Sequence, residues 1–97
     1  MNQYVERICE AAKTFFEHEP VQIMLFGSWA RGTQHRSSDV DVAIDYKEGE
    51  SNRQKIDEFR DFLEELTIPY SVDIVDMHEA SKALQEEIRK DGIVWKE

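Results

Sequence analysis

A chain of 97 residues has room for one domain, and 12 Lys and Arg against 21 Asp and Glu leave it with a net charge of −9. A body that acidic repels polyanions unless ions or a partner screen it, so direct binding to nucleic acid is disfavoured. The single Cys9 excludes an intrachain disulfide, no stretch nears the roughly 18 apolar residues of a membrane span, and Met1-Asn2-Gln3-Tyr4 lacks the basic and then apolar start of a signal peptide. A single soluble domain over residues 1–97, in the reducing cytoplasm, is the expectation.

In chain order, Val5, Ile8, Ala12, Phe15 and Phe16 recur at helical spacing behind Asn2 as a cap, which predicts an amphipathic helix over residues 3–18, stopped before Pro20. The apolar run from Val21 to Phe26 ends in Gly27 and reads as a buried strand. Asp39 to Asp45 alternates strictly, with Val40, Val42 and Ile44 on one face and Asp39, Asp41, Ala43 and Asp45 on the other. Beyond a turn around Gly49, Ile56, Phe59, Phe62, Leu63 and Leu66 mark a second amphipathic helix, capped by Ser51 or Asn52 and followed by Pro69. Ser71 to Val75 gives a third strand. Asp76-Met77-His78-Glu79 has the capping-box form ahead of a third helix that carries Ala80, Leu84 and Ile88 and is ended by Gly92. Ile93-Val94-Trp95 adds a short edge strand. This order predicts an α/β (α+β) fold, a small mixed sheet covered by helices, without fixing the strand order.

Gly27 opens the run Gly27-Ser28-Trp29-Ala30-Arg31-Gly32. A glycine there lets backbone N–H groups approach an anion, Ser28 adds a hydroxyl donor, and Arg31, one turn on, can bring its guanidinium fork to the same place. By itself the run fits a plain tight turn equally well. Asp39 and Asp41 project from one strand face roughly 6.5–7 Å apart, at about 3.3 Å per residue, a spacing that one or two divalent ions can bridge. The alternative is a solvated strand face. Asp73 stands among apolar neighbours in another strand, where an unpaired carboxylate is costly. Either a lysine or arginine neutralises it or, if the two strands are neighbours, it completes an all-oxygen cage suited to magnesium.

Gly27-Ser28 with its Ala30-Arg31-Gly32 continuation, the strand Ser38-Asp39-Val40-Asp41 and the later Asp73 together resemble the nucleotidyltransferase superfamily of polymerase beta-like enzymes. The likeness is strongest to its minimal nucleotidyltransferase (MNT) domain and covers nearly the whole chain. The resemblance implies the nucleotidyltransferase fold and transfer of a nucleoside monophosphate from a nucleoside triphosphate, most simply AMP from ATP, to a hydroxyl. It makes Asp39 and Asp41 ligands of Mg2+ in a two-ion site, Asp73 a third ligand or base, and Gly27, Ser28 and Arg31 the nucleotide-binding set. In-line displacement at phosphorus agrees, since it needs neutralised charge and fixed geometry more than covalent chemistry.

Larger relatives carry a second domain that closes over the substrates. Family members of this size resemble one half of a two-gene toxin–antitoxin pair whose other half is an all-helical HEPN protein. A HEPN-type partner subunit and a homo- or hetero-oligomer are thereby implied, and an acidic subunit suits the masking of an RNA-cutting partner's basic groove. Two other functions stay open: a non-catalytic module that neutralises its partner by contact, and a transferase for a small hydroxyl compound such as an aminoglycoside.

Asp76 is expected to cap its helix and to point away from the face of Asp73, and Asp45 to be solvated near its strand end. His35 and Arg36 read as exposed loop charges. Trp29 either packs on a base or partner, or staples its own turn to the core. His18 and His78 lack metal-ligand spacing.

Overall fold

The computed structural model describes residues 2–97; Met1, the first residue of the start read as leaderless, lies outside them. Asn2 caps the first helix, α1 (Gln3–Phe15), its Oδ1 accepting from the N–H of Tyr4 at 2.7 Å and of Val5 at 3.4 Å. Val5, Ile8 and Ala12 are buried on its inner face, as their spacing demands. The helix stops short of residue 18. Phe16 is its C-cap, and the N–H groups of Glu17 and Glu19 bond back to the carbonyls of Thr14 and Phe16 in successive turns before Pro20.

Four strands, β1 (Val21–Phe26), β2 (Val40–Tyr46), β3 (Val72–Asp76) and β4 (Ile93–Lys96), form one sheet in the order β3-β2-β1-β4. β1 is antiparallel to both β2 and β4, whereas β2 and β3 are parallel. A parallel pair needs a crossover, and the helix between β2 and β3 supplies it. Between β1 and β2 comes α2 (Ser28–Arg31), a single turn; the crossover is α3 (Arg53–Glu64), and α4 (Lys82–Asp91) leads into β4. Asn52 caps α3, accepting from Lys55 N–H at 3.1 Å.

Strand alternation divides the apolar residues between two faces. Ile23, Leu25, Val40, Val42, Ile44 and Ile74 pack with α1 and α3 around Phe16 and Phe59. Each such fully buried side chain contributes about 1.5–3 kcal/mol. Met24, Phe26 and Ala43 point the other way, where Met77 and Ile88 cover them. The β2 face carrying Asp41, Ala43 and Asp45 is therefore closed along its middle, and its Asp39 end alone opens toward solvent.

Two expectations are corrected. Asp45 is not solvated: it is 5% exposed, with Lys47 Nζ 2.8 Å from Oδ2 and His78 Nε2 3.9 Å from Oδ1. The strand runs past it to Tyr46, and the turn after β3 folds over it. Asp76 does not cap a helix. It ends β3, its Oδ1 accepting from His78 N–H at 3.0 Å and from the Ser51 hydroxyl at 2.8 Å, while Glu79 N–H bonds to its carbonyl at 2.9 Å in a tight turn. Glu79 pairs with Arg53 of α3, and Ser81 caps α4 by accepting from Leu84 N–H at 3.1 Å. Gly92 ends α4 as expected, for a reason of space rather than handedness: its φ is −69°, but a Cβ would collide with the Ile88 carbonyl.

Among the described residues no helix is long and apolar enough to cross a membrane. Cys9 is a partly buried free thiol, its pKa pushed up by burial.

Candidate active site

β1 delivers the chain to Gly27, which turns it with φ +75° and ψ −156° into α2. Left-handed φ favours glycine. Space does too, because a Cβ on Gly27 would collide with Asp41 Oδ2. The carboxylate of Asp41 thus lies directly against the bend. Register accounts for this: Phe26 faces Asp41 across β1 and β2, and Asp41 faces Asp73 across β2 and β3. Side chains in register on adjoining strands share a face, and Asp39, two residues before Asp41, falls on that face as well. Asp39, Asp41 and Asp73 therefore converge beside the turn that carries Ser28 and Arg31.

The charges are felt at Asp41. Burial first, then Asp73 and Asp39, push its pKa from 3.8 to about 6, and Arg31 pulls in the opposite direction. Among the described residues no Lys, Arg or His pairs with any of the three carboxylates, so neutralisation of Asp73 by a basic side chain is not what the fold provides. Within the turn, the N–H groups of Ala30 and Arg31 both donate to the Gly27 carbonyl at 3.1 Å, and Thr33 N–H donates to the Ser28 carbonyl at 3.0 Å. The N–H groups of Ser28 and Trp29, in the first positions of the turn, have no backbone acceptor among the described residues.

The side chains as placed do not close a coordination shell: among the described residues no group of three or more His, Cys, Asp or Glu stands at metal-holding spacing. The chemistry of the donor set nevertheless fits a hard divalent cation. It is all oxygen, and it includes Asp41, whose carboxylate is protonated more readily than usual first because it is partly buried and then because Asp73 and Asp39 repel it; a cation there would offset both.

Trp29 staples its turn, the second of the two roles considered for it. Its Nε1 donates to the Ser38 carbonyl at 3.4 Å, and its ring meets that of Tyr70 edge-on with centroids 5.1 Å apart. Tyr70 has no counterpart in the sequence reading, since it lies between α3 and β3 where no periodicity marks it. His35 and Arg36 are exposed loop residues, His35 N–H donating to Ser38 Oγ at 2.9 Å. His78 is held at the far end of β2, where its Nε2 donates to the Tyr46 carbonyl at 2.7 Å. Beside the outer edge of β3 a cleft of about 360 Å³ runs between Asp73, Tyr70 and the α3 residues Arg60 and Leu63.

A mixed sheet with carboxylates on adjoining strands, facing a glycine-serine turn, is the nucleotidyltransferase architecture. Residues 7–97 match the protein family described as Polymerase beta, Nucleotidyltransferase, and the chain belongs to that family. Over 70 residues, 72% of this chain, it is 34% identical to the protein adenylyltransferase MntA of Shewanella oneidensis; the match covers 49% of that protein, so the chain spans about half the length of this curated relative. A solved structure assigned as a minimal nucleotidyltransferase superposes with a TM-score of 0.71 at 27% identity, over 92% of this chain and 89% of that one. A toxin–antitoxin complex solved with AMP-PNP gives 0.63 at 26% identity, over 90% of this chain and 71% of that one. The expected fold is borne out.

Proposed function

We propose that residues 1–97 act as a single nucleotidyl-transfer unit that moves AMP from ATP to a hydroxyl acceptor, in the cytoplasm, together with a helical HEPN-type protein toward which it serves as antitoxin. The observation that carries the proposal is the register of Asp41 with Asp73 against the Gly27 bend. Family membership supports the reaction class. The name of the adenylyltransferase relative and the AMP-PNP in the similar toxin–antitoxin complex support the nucleotide and the partner.

Asp39 and Asp41 would hold Mg2+, with Asp73 as a third ligand or as the base. Bound there, two such ions supply neutralised charge on the triphosphate and a lowered pKa for the acceptor hydroxyl. The remaining work belongs to the chain. The Ser28 hydroxyl and the free N–H groups of Ser28 and Trp29 bind phosphate oxygens at the bend that Gly27 makes. Arg31, reaching the same anion, offsets its charge and holds the α-phosphorus in place. The acceptor oxygen attacks that phosphorus in line; its new O–P bond forms as the bond to pyrophosphate breaks. Where Asp73 serves as the base, the hydroxyl proton passes to its carboxylate, and pyrophosphate leaves.

The test is incubation of the chain with ATP labelled at the α-phosphate, Mg2+ and the product of the neighbouring gene. Label is expected on the partner, absent with a chelator and absent with Asp41→Asn. No label on any acceptor would overturn the reaction. If Asp39→Asn combined with Asp41→Asn still suppressed the partner fully in cells, contact alone would be the function.

A further inference from the structure

Three stretches of chain carry the proposed site: the turn 27–31, the lead-in to β2 that ends in Asp39, and β3 with Asp73. One aromatic contact joins them. Trp29 lies inside the turn, between Ser28 and Arg31. Its Nε1 donates to the carbonyl of Ser38, the residue before Asp39, at 3.4 Å. Its ring meets Tyr70 at a centroid distance of 5.1 Å and an angle of 65°. Tyr70 stands three residues before Asp73, and the carbonyl of the next residue, Ser71, accepts from Val40 N–H at 2.9 Å, which ties the start of β3 to β2 between Asp39 and Asp41.

Tyr70 is itself fixed from the other side. Its Oη accepts from Asn2 Nδ2 at 2.9 Å, and the Tyr4 ring packs on it edge-on at 6.1 Å. Asn2 at the same time caps α1 through its Oδ1. The turn, by contrast, has little of its own to orient it. It is one helical turn without a side-chain cap, between two glycines of positive φ, Gly27 at +75° and Gly32 at +76°. Such a turn can swivel at both ends unless a side chain anchors it.

We infer that Trp29 and Tyr70 are positioning residues, a ring pair that sets the distance between the phosphate-binding turn and the two strands bearing the carboxylates. The inference rests on the proposed nucleotidyl transfer. Edge-to-face aromatic packing is directional as well as attractive, so it fixes an angle and a separation together. A displacement of about 1 Å between reacting groups can lower a rate roughly 100-fold, which is the scale on which this contact matters.

The test compares Trp29→Leu, Tyr70→Leu, Trp29→Phe and Tyr70→Phe in the full chain with its partner, reading kcat, the KM for ATP and the melting temperature. Both leucine variants should lose roughly 10- to 100-fold in kcat with the KM for ATP held. Tyr70→Phe keeps the ring pair and should restore nearly full activity. Should a leucine variant fail to fold, Trp29→Phe decides: its smaller ring loses the Ser38 hydrogen bond and draws back from Tyr70, so kcat falls several-fold while KM and melting temperature stay. Unchanged kcat in a folded leucine variant would overturn the inference. So would a raised KM with kcat intact, which would make Trp29 a platform for the base. A readout free of turnover separates this from failure of the reaction itself: Trp29→Leu should shift the amide NMR signals of Ser71 and Asp73, and shifts confined to the turn would show that the link is absent even if the wild type transfers nothing.

Discussion

At Gly27 two demands coincide, a left-handed φ and a space already taken by the carboxylate of Asp41. Gly27→Ala is expected to destabilise the fold by about 1–3 kcal/mol and to displace Asp41. Urea unfolding should show the first effect, and a fall of roughly 100-fold in label transfer the second. Asp41 itself links acidity to stability. Between its ordinary value of 3.8 and its folded value of about 6, the folded chain keeps a proton that the unfolded chain has released. Stability therefore falls as pH rises through that window. The group is partly solvated, so the loss is about 1–2 kcal/mol after screening. Asp41→Asn removes it; without divalent ions, denaturation at pH values bracketing the window should show the wild type losing about that much more than the variant. Equal slopes would mean that neither burial nor the neighbouring carboxylates raise the pKa of Asp41. The Asp39 and Asp41 pair and Gly27 were legible because spacing and residue type declare them. Asp45 was not, because its burial depends on a turn more than 30 residues later folding over it.

Among the elements, α1 and α3 could be read because apolar spacing and capping are local: Asn2 and Asn52 accept from N–H groups two or three residues on. The start of α4 could not. Asp76 through Glu79 satisfies the capping-box pattern, yet β3 continues through Asp76 because Met77 N–H is claimed by the Ile44 carbonyl at 2.9 Å. A long-range ladder bond outweighs a local pattern there. Ser81→Ala should consequently cost about 1 kcal/mol in a denaturation series. Glu79→Ala, which loses an exposed ion pair with Arg53, should cost about 0.2–1 kcal/mol and leave the helix content intact. The opposite ranking, with helix lost in the Glu79 variant, would restore Asp76 and Glu79 as the cap.

For the molecule as a whole, the strand order β3-β2-β1-β4 decides whether Asp73 meets Asp41, and no residue announces it. Alternation fixed the face on which each aspartate lies but not which strands adjoin; the motif resemblance, not periodicity, pointed to the neighbouring pair. The sheet has two chemically different ends. At one, among the described residues, no Lys, Arg or His forms a salt bridge with Asp39, Asp41 or Asp73 beside the Gly27 bend; at the other, Asp45 and Asp76 are occupied by Lys47, Ser51 and the His78 N–H. Among the described residues, the first end is the one whose carboxylates are without such partners, as the proposed metal-bound nucleotide requires.

Mn2+ in the presence of AMP-PNP, followed by paramagnetic broadening of the amide signals of the full chain, tests that difference most directly. An ion held between β2 and β3 against the glycine-serine turn should broaden Gly27, Ser28, Asp41 and Asp73 and leave Asp45, Asp76 and His78 sharp. Broadening centred on Asp45 and Asp76, or no broadening localised at either end, would contradict the assignment of the site.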